Sequence, residues 1–320
     1  MPNKLAPISS FLGLARNRYM QYQPERTLAD KFALAAQIQG IDGLELCYPA
    51  DFEDPASLRA LLARYGLGVA AVNFRSRRTG QWWRGSFTSA DPAERLAVVD
   101  DLRRCMDATA ALGVHRVTTC PLNEGHDYPF EVDYLQMYAA AEETFAAACA
   151  HNRAVRLCIE YKWNDPRARC LFATAGETLS FCQTLNADNL GATLDLGHAL
   201  LGRERPGQSV ALLARAGRLF YVHVNDNDRD WDWDMIPGAY HLWESVEFFH
   251  YLFQVGYADD WYGFDVFPKE TDTVEVFSAS FAITRQLEAL AGRVDAARLA
   301  ELTALRNPAR TMAYIYSLIH

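Results

Sequence analysis

Short runs of β-branched and apolar residues alternate along this chain with longer stretches whose apolar positions recur at helical spacing. Eight runs read as strands: Ile8–Leu14, Ile41–Leu46, Gly68–Asn73, His115–Pro121, Val155–Glu160, Ala192–Asp195, Leu219–Asn225 and Tyr262–Phe267. Between them lie amphipathic segments. Ala90–Leu112 opens with Asp91-Pro92, a cap followed by a proline suited to the first turn. Gly176–Leu185 and Trp243–Gln254 behave similarly, and Gly40, Gly66 and Gly113 stand where a left-handed C-cap is expected.

Strands separated by helices imply parallel pairing through right-handed crossovers. Eight such units predict an α/β fold, a (β/α)8 TIM barrel, over an open doubly wound sheet. The open sheet usually carries a Gly-rich phosphate turn after its first strand, and Gly13-Leu14-Ala15 is not one. Two further helical stretches, Val274–Leu290 and Val294–Ser317, exceed what the eighth unit needs. The reading is a barrel over residues 1–290 and a C-terminal helical extension over 291–320, packed on the barrel or on another subunit. No internal linker, repeat or low-complexity tract interrupts the pattern.

Composition narrows the field. Half of the 320 residues are hydrophobic, enough for a sizeable core. With 31 basic against 40 acidic residues the net charge is −9, which argues against a nucleic-acid partner. The seven cysteines include no Cys-x-x-Cys pair and several sit in apolar runs, so they read as small buried hydrophobes in a reducing compartment. Met1 to Ser10 lacks a signal-peptide pattern, and no apolar run is long enough to span a bilayer. These features predict a cytoplasmic protein that needs no membrane.

The polar residues fall where a barrel does its chemistry, at the C-terminal ends of its strands. The fifth strand ends at Glu160, followed by Tyr161-Lys162. The sixth ends at Asp195, followed by Leu196-Gly197-His198. The seventh carries His223 and Asn225-Asp226, and the eighth Asp265. A lone strand-end Asp is more often a cap, and a lone His a core residue. Four in succession call for a shared cation, because an unpaired buried charge is expensive. The oxygen-rich donor set suits Mn²⁺ first, with Mg²⁺, Co²⁺ or Zn²⁺ as alternates. Asp226, Asp228, Asp230, Asp232 and Asp234 follow, interleaved with Trp231 and Trp233. An acidic solvated loop is the plain reading. Exposed tryptophans are costly, however, and Asp232-x-Asp234 can aim two carboxylates at one ion, which with Asp195 and His198 makes a second metal site.

These motifs resemble those of the xylose isomerase-like barrel superfamily. Glu160-Tyr161-Lys162-Trp163-Asn164-Asp165-Pro166-Arg167 is similar to the Glu-Pro-Lys-Pro-Asn-Glu-Pro-Arg run of xylose isomerases. His223-Val224-Asn225-Asp226 followed by Asp232-Trp233-Asp234 resembles L-rhamnose isomerases. The likeness implies Glu160, Asp195, His223 and Asp265 on a substrate-binding metal. It implies Asp195, His198, Asp232 and Asp234 on a catalytic one. Lys162 would stabilise charge on a substrate oxygen, with Asn164 and Asp165 orienting ligands. The His–Asp pair that assists ring opening in xylose isomerases has no counterpart here, where the early strand ends read Glu45-Leu46-Cys47-Tyr48 and Asn73-Phe74-Arg75.

The expected activity is aldose–ketose isomerisation of a pentose, deoxyhexose or branched pentose by hydride shift, with Lys162, Asp195, His198, Asp232 and Asp234 as catalytic residues. Substrate contacts are expected from Lys162, His126, Trp163 and Asn73. Trp82, Trp83, Tyr128, Trp163, Trp231, Trp233 and Phe267 are candidates for an apolar wall against sugar C–H faces. A single-metal ketose 3-epimerase working through an enediolate is the competing expectation. A zinc-cluster DNA-repair endonuclease fits poorly with an acidic chain, and nothing in the sequence favours a non-catalytic sugar-binding barrel. The partner expected besides a sugar is another copy of the chain, in a dimer or tetramer.

Overall fold

The computed structural model describes residues 2–77, 82, 85–165, 168–258 and 260–319. Eight parallel strands form one sheet. They are β1 (Lys4–Pro7), β2 (Gly43–Tyr48), β3 (Gly68–Phe74), β4 (Arg116–Thr119), β5 (Arg156–Glu160), β6 (Leu190–Asp195), β7 (Leu219–His223) and β8 (Trp261–Phe264). Each pairs with its sequence neighbours, β8 pairs with β1, and a single parallel bridge between Ile8 and Glu45 joins β1 to β2. That bridge completes the barrel. Below it, the Leu5 and Asp42 backbones exchange a hydrogen bond of 3.0 Å, and the Asp42 carboxylate accepts from Leu5 N at 2.8 Å.

Helices cover the outside: α1 (Leu28–Ala35), α2 (Pro55–Tyr65), α3 (Pro92–Ala111), α4 (Tyr134–His151), α5 (Ala175–Leu185), α6 (Leu196–Leu201), α7 (Pro206–Arg215), α8 (Leu242–Gln254) and α9 (Thr273–Gly292). Their starts are written in the sequence. Asp91 caps α3 ahead of Pro92, accepting from Ala93 N, and Asp133 and Thr174 cap α4 and α5. Gly40, Gly66 and Gly113 all adopt positive φ, as the C-cap reading expects. Between strands and helices runs one apolar core, with Phe32, Phe74, Phe145, Phe249 and Phe277 fully buried in it.

The expected first strand, Ile8–Leu14, is wrong. The strand is Lys4–Pro7, and Ser9–Leu12 forms a 3₁₀ turn beyond it. Lys-Leu-Ala-Pro has little intrinsic strand preference and is held extended by pairing with Trp261–Phe264. The C-terminal stretch expected as one helix is two, α10 (Ala296–Ala304) and α11 (Pro308–Ser317), because Asn307 caps a new helix and Pro308 cannot continue the old one. Helix α9 runs past residue 290 to Gly292. The final helices pack on the barrel: the Trp243 and Tyr316 rings lie 4.7 Å apart, and Trp243 Nε1 donates to Tyr316 Oη at 3.1 Å. All seven cysteines are buried free thiols. No helix among the described residues is long and apolar enough to cross a membrane.

Candidate active site

Parallel strands deliver their last side chains to one rim, so residues far apart in sequence meet there. One ligand atom each from Glu160, Asp195, His223 and Asp265 lies within 4.8 Å of the others. Trans ligands of an octahedral Mg²⁺-sized ion stand about 4.2 Å apart, so the group fits a divalent cation with small adjustments. Asp265 Oδ1 is buried without a hydrogen-bond partner, an orphan that a cation would satisfy.

Glu160 Oε1 is the shared corner: His223 Nδ1 lies 3.3 Å from it and His198 Nδ1 3.5 Å. Burial pushes the Glu160 carboxyl up, but His223, His198 and Arg75 outweigh this and hold it at about 2. Asp265 shows the opposite balance: desolvation, then Glu160 and Asp195, push it up to about 7. Desolvation also raises Asp195, in spite of the two imidazoles.

Asp195 is positioned on both sides. It accepts from His198 N at 2.7 Å, capping α6, and from Asn225 Nδ2 at 3.0 Å. Asn225 Oδ1 in turn accepts from Gly197 N at 2.6 Å. A Cβ on Gly197 would stand 2.5 Å from Asn225 Oδ1, so the close approach needs glycine. Gly263 serves His223 in the same way, since a Cβ there would meet His223 Cδ2 at 2.5 Å. Asp226 is engaged elsewhere: it accepts from Tyr240 N, His241 N and His241 Nδ1 and so closes the loop after β7.

The second expected set is looser. His198 Nε2 faces Asp232 Oδ2 at 3.2 Å, and Lys162 Nζ lies 2.8 Å from the same oxygen. Lys162 also reaches Asp165 at 3.2 Å. Burial works against both charges of the Lys162–Asp232 pair. The contact overrides it, raising Lys162 and, together with His198, lowering Asp232. Asp234 adopts positive φ and accepts from Phe267 N through its carbonyl. Desolvation and the Asp232 and Asp265 charges raise its carboxyl well above the usual range. Asp232 Oδ1 and Asp234 Oδ1 are buried without partners. Asp195, His198, Asp232 and Asp234 are thus neighbours, but among the described residues their ligand atoms do not all fall within 4.8 Å of one another as those of the first four do.

The expected substrate contacts scatter. Asn73 is buried behind the site, giving Nδ2 to Glu45 at 2.7 Å. His126 lies in a small side sheet (Gly125–His126 with Ala168–Cys170 and Asn164–Asp165) and contacts Tyr134 Oη at 3.1 Å. Trp163 stacks under Arg169, 4.5 Å from its guanidinium. Phe267 packs edge-on to Phe11 and Tyr22, Trp231 edge-on to Trp233, and Trp82 is buried, while Tyr128 is exposed. Trp83 lies outside the described residues.

Sequence reasoning missed Glu45 and Arg75. Glu45 is fully buried and accepts from His223 Nε2 at 2.8 Å, leaving Nδ1 turned to the cluster. A carboxylate between Leu44 and Leu46 was the available signal, the same one that singled out Glu160. Arg75 donates to Ser10 Oγ at 3.2 Å, and its charge faces Asp265 and Glu160.

Residues 32–285 match the family described as the xylose isomerase-like TIM barrel. Xylose isomerases from Thermus thermophilus and Thermus caldophilus are 30% and 28% identical over 147 and 146 residues, 44% of this chain in each case. The match spans 38% of the length of either relative. Among solved structures, an L-ribulose 3-epimerase is similar at a TM-score of 0.66 and 22% identity, covering 95% of this chain and 98% of its own. A D-tagatose 3-epimerase-like protein gives 0.70 at 16% identity, covering 90% and 98%. The D-allulose 3-epimerase of Methylomonas sp. gives 0.69 at 17%, covering 89% and 97%. At such identities these likenesses are of fold alone. The chain belongs to the xylose isomerase-like TIM barrel family.

Proposed function

We propose that this protein is a divalent-metal-dependent sugar isomerase that interconverts the aldose and ketose forms of a small monosaccharide, with Mn²⁺ as its preferred cation. The observation that carries the reading is the convergence of Glu160, Asp195, His223 and Asp265 on one ion-sized space, with Lys162 paired to Asp232 on the far side of His198. A cation there, with a second on Asp195, His198, Asp232 and Asp234, would supply Lewis acidity toward neighbouring substrate oxygens.

The chain's own residues divide the rest of the work. Lys162, fixed as a cation by Asp232 and Asp165, is no base; it stabilises negative charge growing on a substrate oxygen. Asp232 stays ionised, and its free Oδ1 is available to a substrate or water proton. Asp265, pushed up to about 7 by burial and its carboxylate neighbours, gives up its proton when it takes the cation.

A metal-stripped sample, screened against aldoses after readdition of Mn²⁺, Mg²⁺, Co²⁺ or Zn²⁺, tests the reading. Substrate deuterated at C2 should carry its label to C1 of the ketose. Solvent deuterium at C1 of the ketose would overturn the hydride shift, and a ketose that inverts at C3 with solvent deuterium there would select a ketose 3-epimerase. That second reading is favoured by one observation: of the two ligand sets proposed, only the first brings one atom from each residue within 4.8 Å of the others among the described residues. Homo-oligomerisation belongs to the same proposal and is read by light scattering.

A further inference from the structure

Cys120, just past the end of β4, is the one thiol near this rim whose sulfur reaches ligand distance of other donors among the described residues. Its Sγ, a Glu160 oxygen and a His198 nitrogen lie within 4.8 Å of one another. The imidazole has one nitrogen to give. Nε2 faces Asp232, whereas Nδ1 is buried, lacks a hydrogen-bond partner and sits 3.5 Å from Glu160 Oε1. His198 is only 2% exposed and Cys120 9%. An orphaned imidazole nitrogen, a carboxylate and a thiol together make a softer donor set than the oxygen-rich quartet beside them.

We propose that Cys120, Glu160 and His198 form an alternative, thiophilic cation site, overlapping the quartet at Glu160, that takes Zn²⁺ or Cd²⁺ in preference to Mn²⁺ or Mg²⁺. Thiolate ligands select soft cations, and hard ones keep to carboxylate and water. Bonds of about 2.0–2.3 Å in tetrahedral geometry place ligand atoms about 3.5 Å apart, so the group closes with side-chain shifts near 1 Å. As the sulfur–metal bond forms, the thiol proton leaves to solvent and the metal keeps its oxidation state. A fourth position stays open to water.

Glu160 belongs to both this trio and the quartet. A thiophilic cation therefore withdraws a ligand from the Mn²⁺ position instead of adding to it, and the two occupancies compete. The inference shares Glu160 and His198 with the proposed reaction centre but does not depend on which reaction that centre runs.

Titration of the full-length protein with Cd²⁺ alone tests it, read by the ultraviolet thiolate-to-cadmium charge-transfer band and by ¹¹³Cd NMR. The expected result is a band that saturates at a single equivalent, a sulfur-bound cadmium resonance, and release of preloaded Mn²⁺. Cys120→Ser should lose the band and bind Cd²⁺ at least about tenfold more weakly. Cys170→Ser, at the neighbouring thiol in the same small apolar cluster, should keep it. No band in the natural protein, or a band that survives Cys120→Ser, overturns the proposal. If Cys120→Ser does not fold, a cadmium resonance of purely oxygen and nitrogen character in the natural protein overturns it equally. Mn²⁺-stimulated turnover without a thiolate band would leave the isomerase reading standing and this one fallen. A thiolate band without turnover would do the reverse.

Discussion

Glu45→Gln keeps the shape of the side chain and removes the charge that holds His223 from behind. In the natural protein both Glu45 oxygens are occupied, one by His223 Nε2 at 2.8 Å and the other by Asn73 Nδ2 at 2.7 Å. A glutamine has only one oxygen to offer. With that oxygen on His223, its amide faces the Asn73 amide, two donors in a fully buried space. Asn73 Oδ1 has no partner, so a flip of Asn73 repairs that contact. What the flip cannot restore is the negative charge, which fixes the proton on Nε2 and makes Nδ1 a better donor to a cation. Losing such a support costs about 10- to 100-fold in metal affinity, or about 1.4–2.7 kcal/mol. The measurement is Mn²⁺ binding to chelator-stripped protein, by calorimetry or by the electron paramagnetic resonance of free Mn²⁺. A thermal melt of the stripped variant establishes that it is folded. Mn²⁺ affinity within about threefold of the natural protein would refute the claim that Glu45 tunes His223, since a tenfold loss is the lower bound of the effect.

Gly263→Ala should overpack the same ring, because its Cβ would stand 2.5 Å from His223 Cδ2 and 2.6 Å from Tyr221 Oη; a loss of about 1–3 kcal/mol is expected, and an unchanged melting temperature would contradict it. Lys162→Met should lower kcat by about 100- to 1,000-fold while leaving the protein folded, and retention of kcat in steady-state assays would remove Lys162 from the chemistry. Mn²⁺ uptake should weaken as pH falls through about 7: Asp265 is pushed up to about 7, holds its proton below that value, and binds a cation only as the carboxylate. Calorimetry in two buffers of different ionisation enthalpy should then register protons released on binding, and a pH-independent affinity would count against Asp265 as a ligand.

Much of this was legible in the order of residues because the barrel turns order into place. Alternating strands and helices fix which ends share a rim, so Glu160, Asp195, His223 and Asp265 are brought together by topology alone. Partnerships across the barrel are a different matter. Glu45 and His223 are 178 residues apart on strands that are not neighbours, and their contact depends on strand register and ring orientation that no local pattern encodes. Cys120 was hidden for another reason: nothing in Thr118-Thr119-Cys120-Pro121 marks the thiol as a ligand, and only the unpartnered nitrogen of His198 singles it out. The first strand failed because Lys4–Pro7 owes its conformation to β8, not to its own side chains, while the more apolar Ile8–Leu14 made the better pattern.

The bridge between Ile8 and Glu45 ties two properties together. Other neighbouring strands are stitched by two or more residue pairs, but here one rung both completes the hoop and carries the carboxylate behind His223. Breathing at that seam is therefore breathing of the site. Amide hydrogens around Ile8 and Glu45 should exchange faster than those in β5 and β6, and a cation clasped by His223 should slow them from across the barrel. The N-terminal segment, which supplies none of the four proposed ligands, becomes the hinge pin of the proposed site.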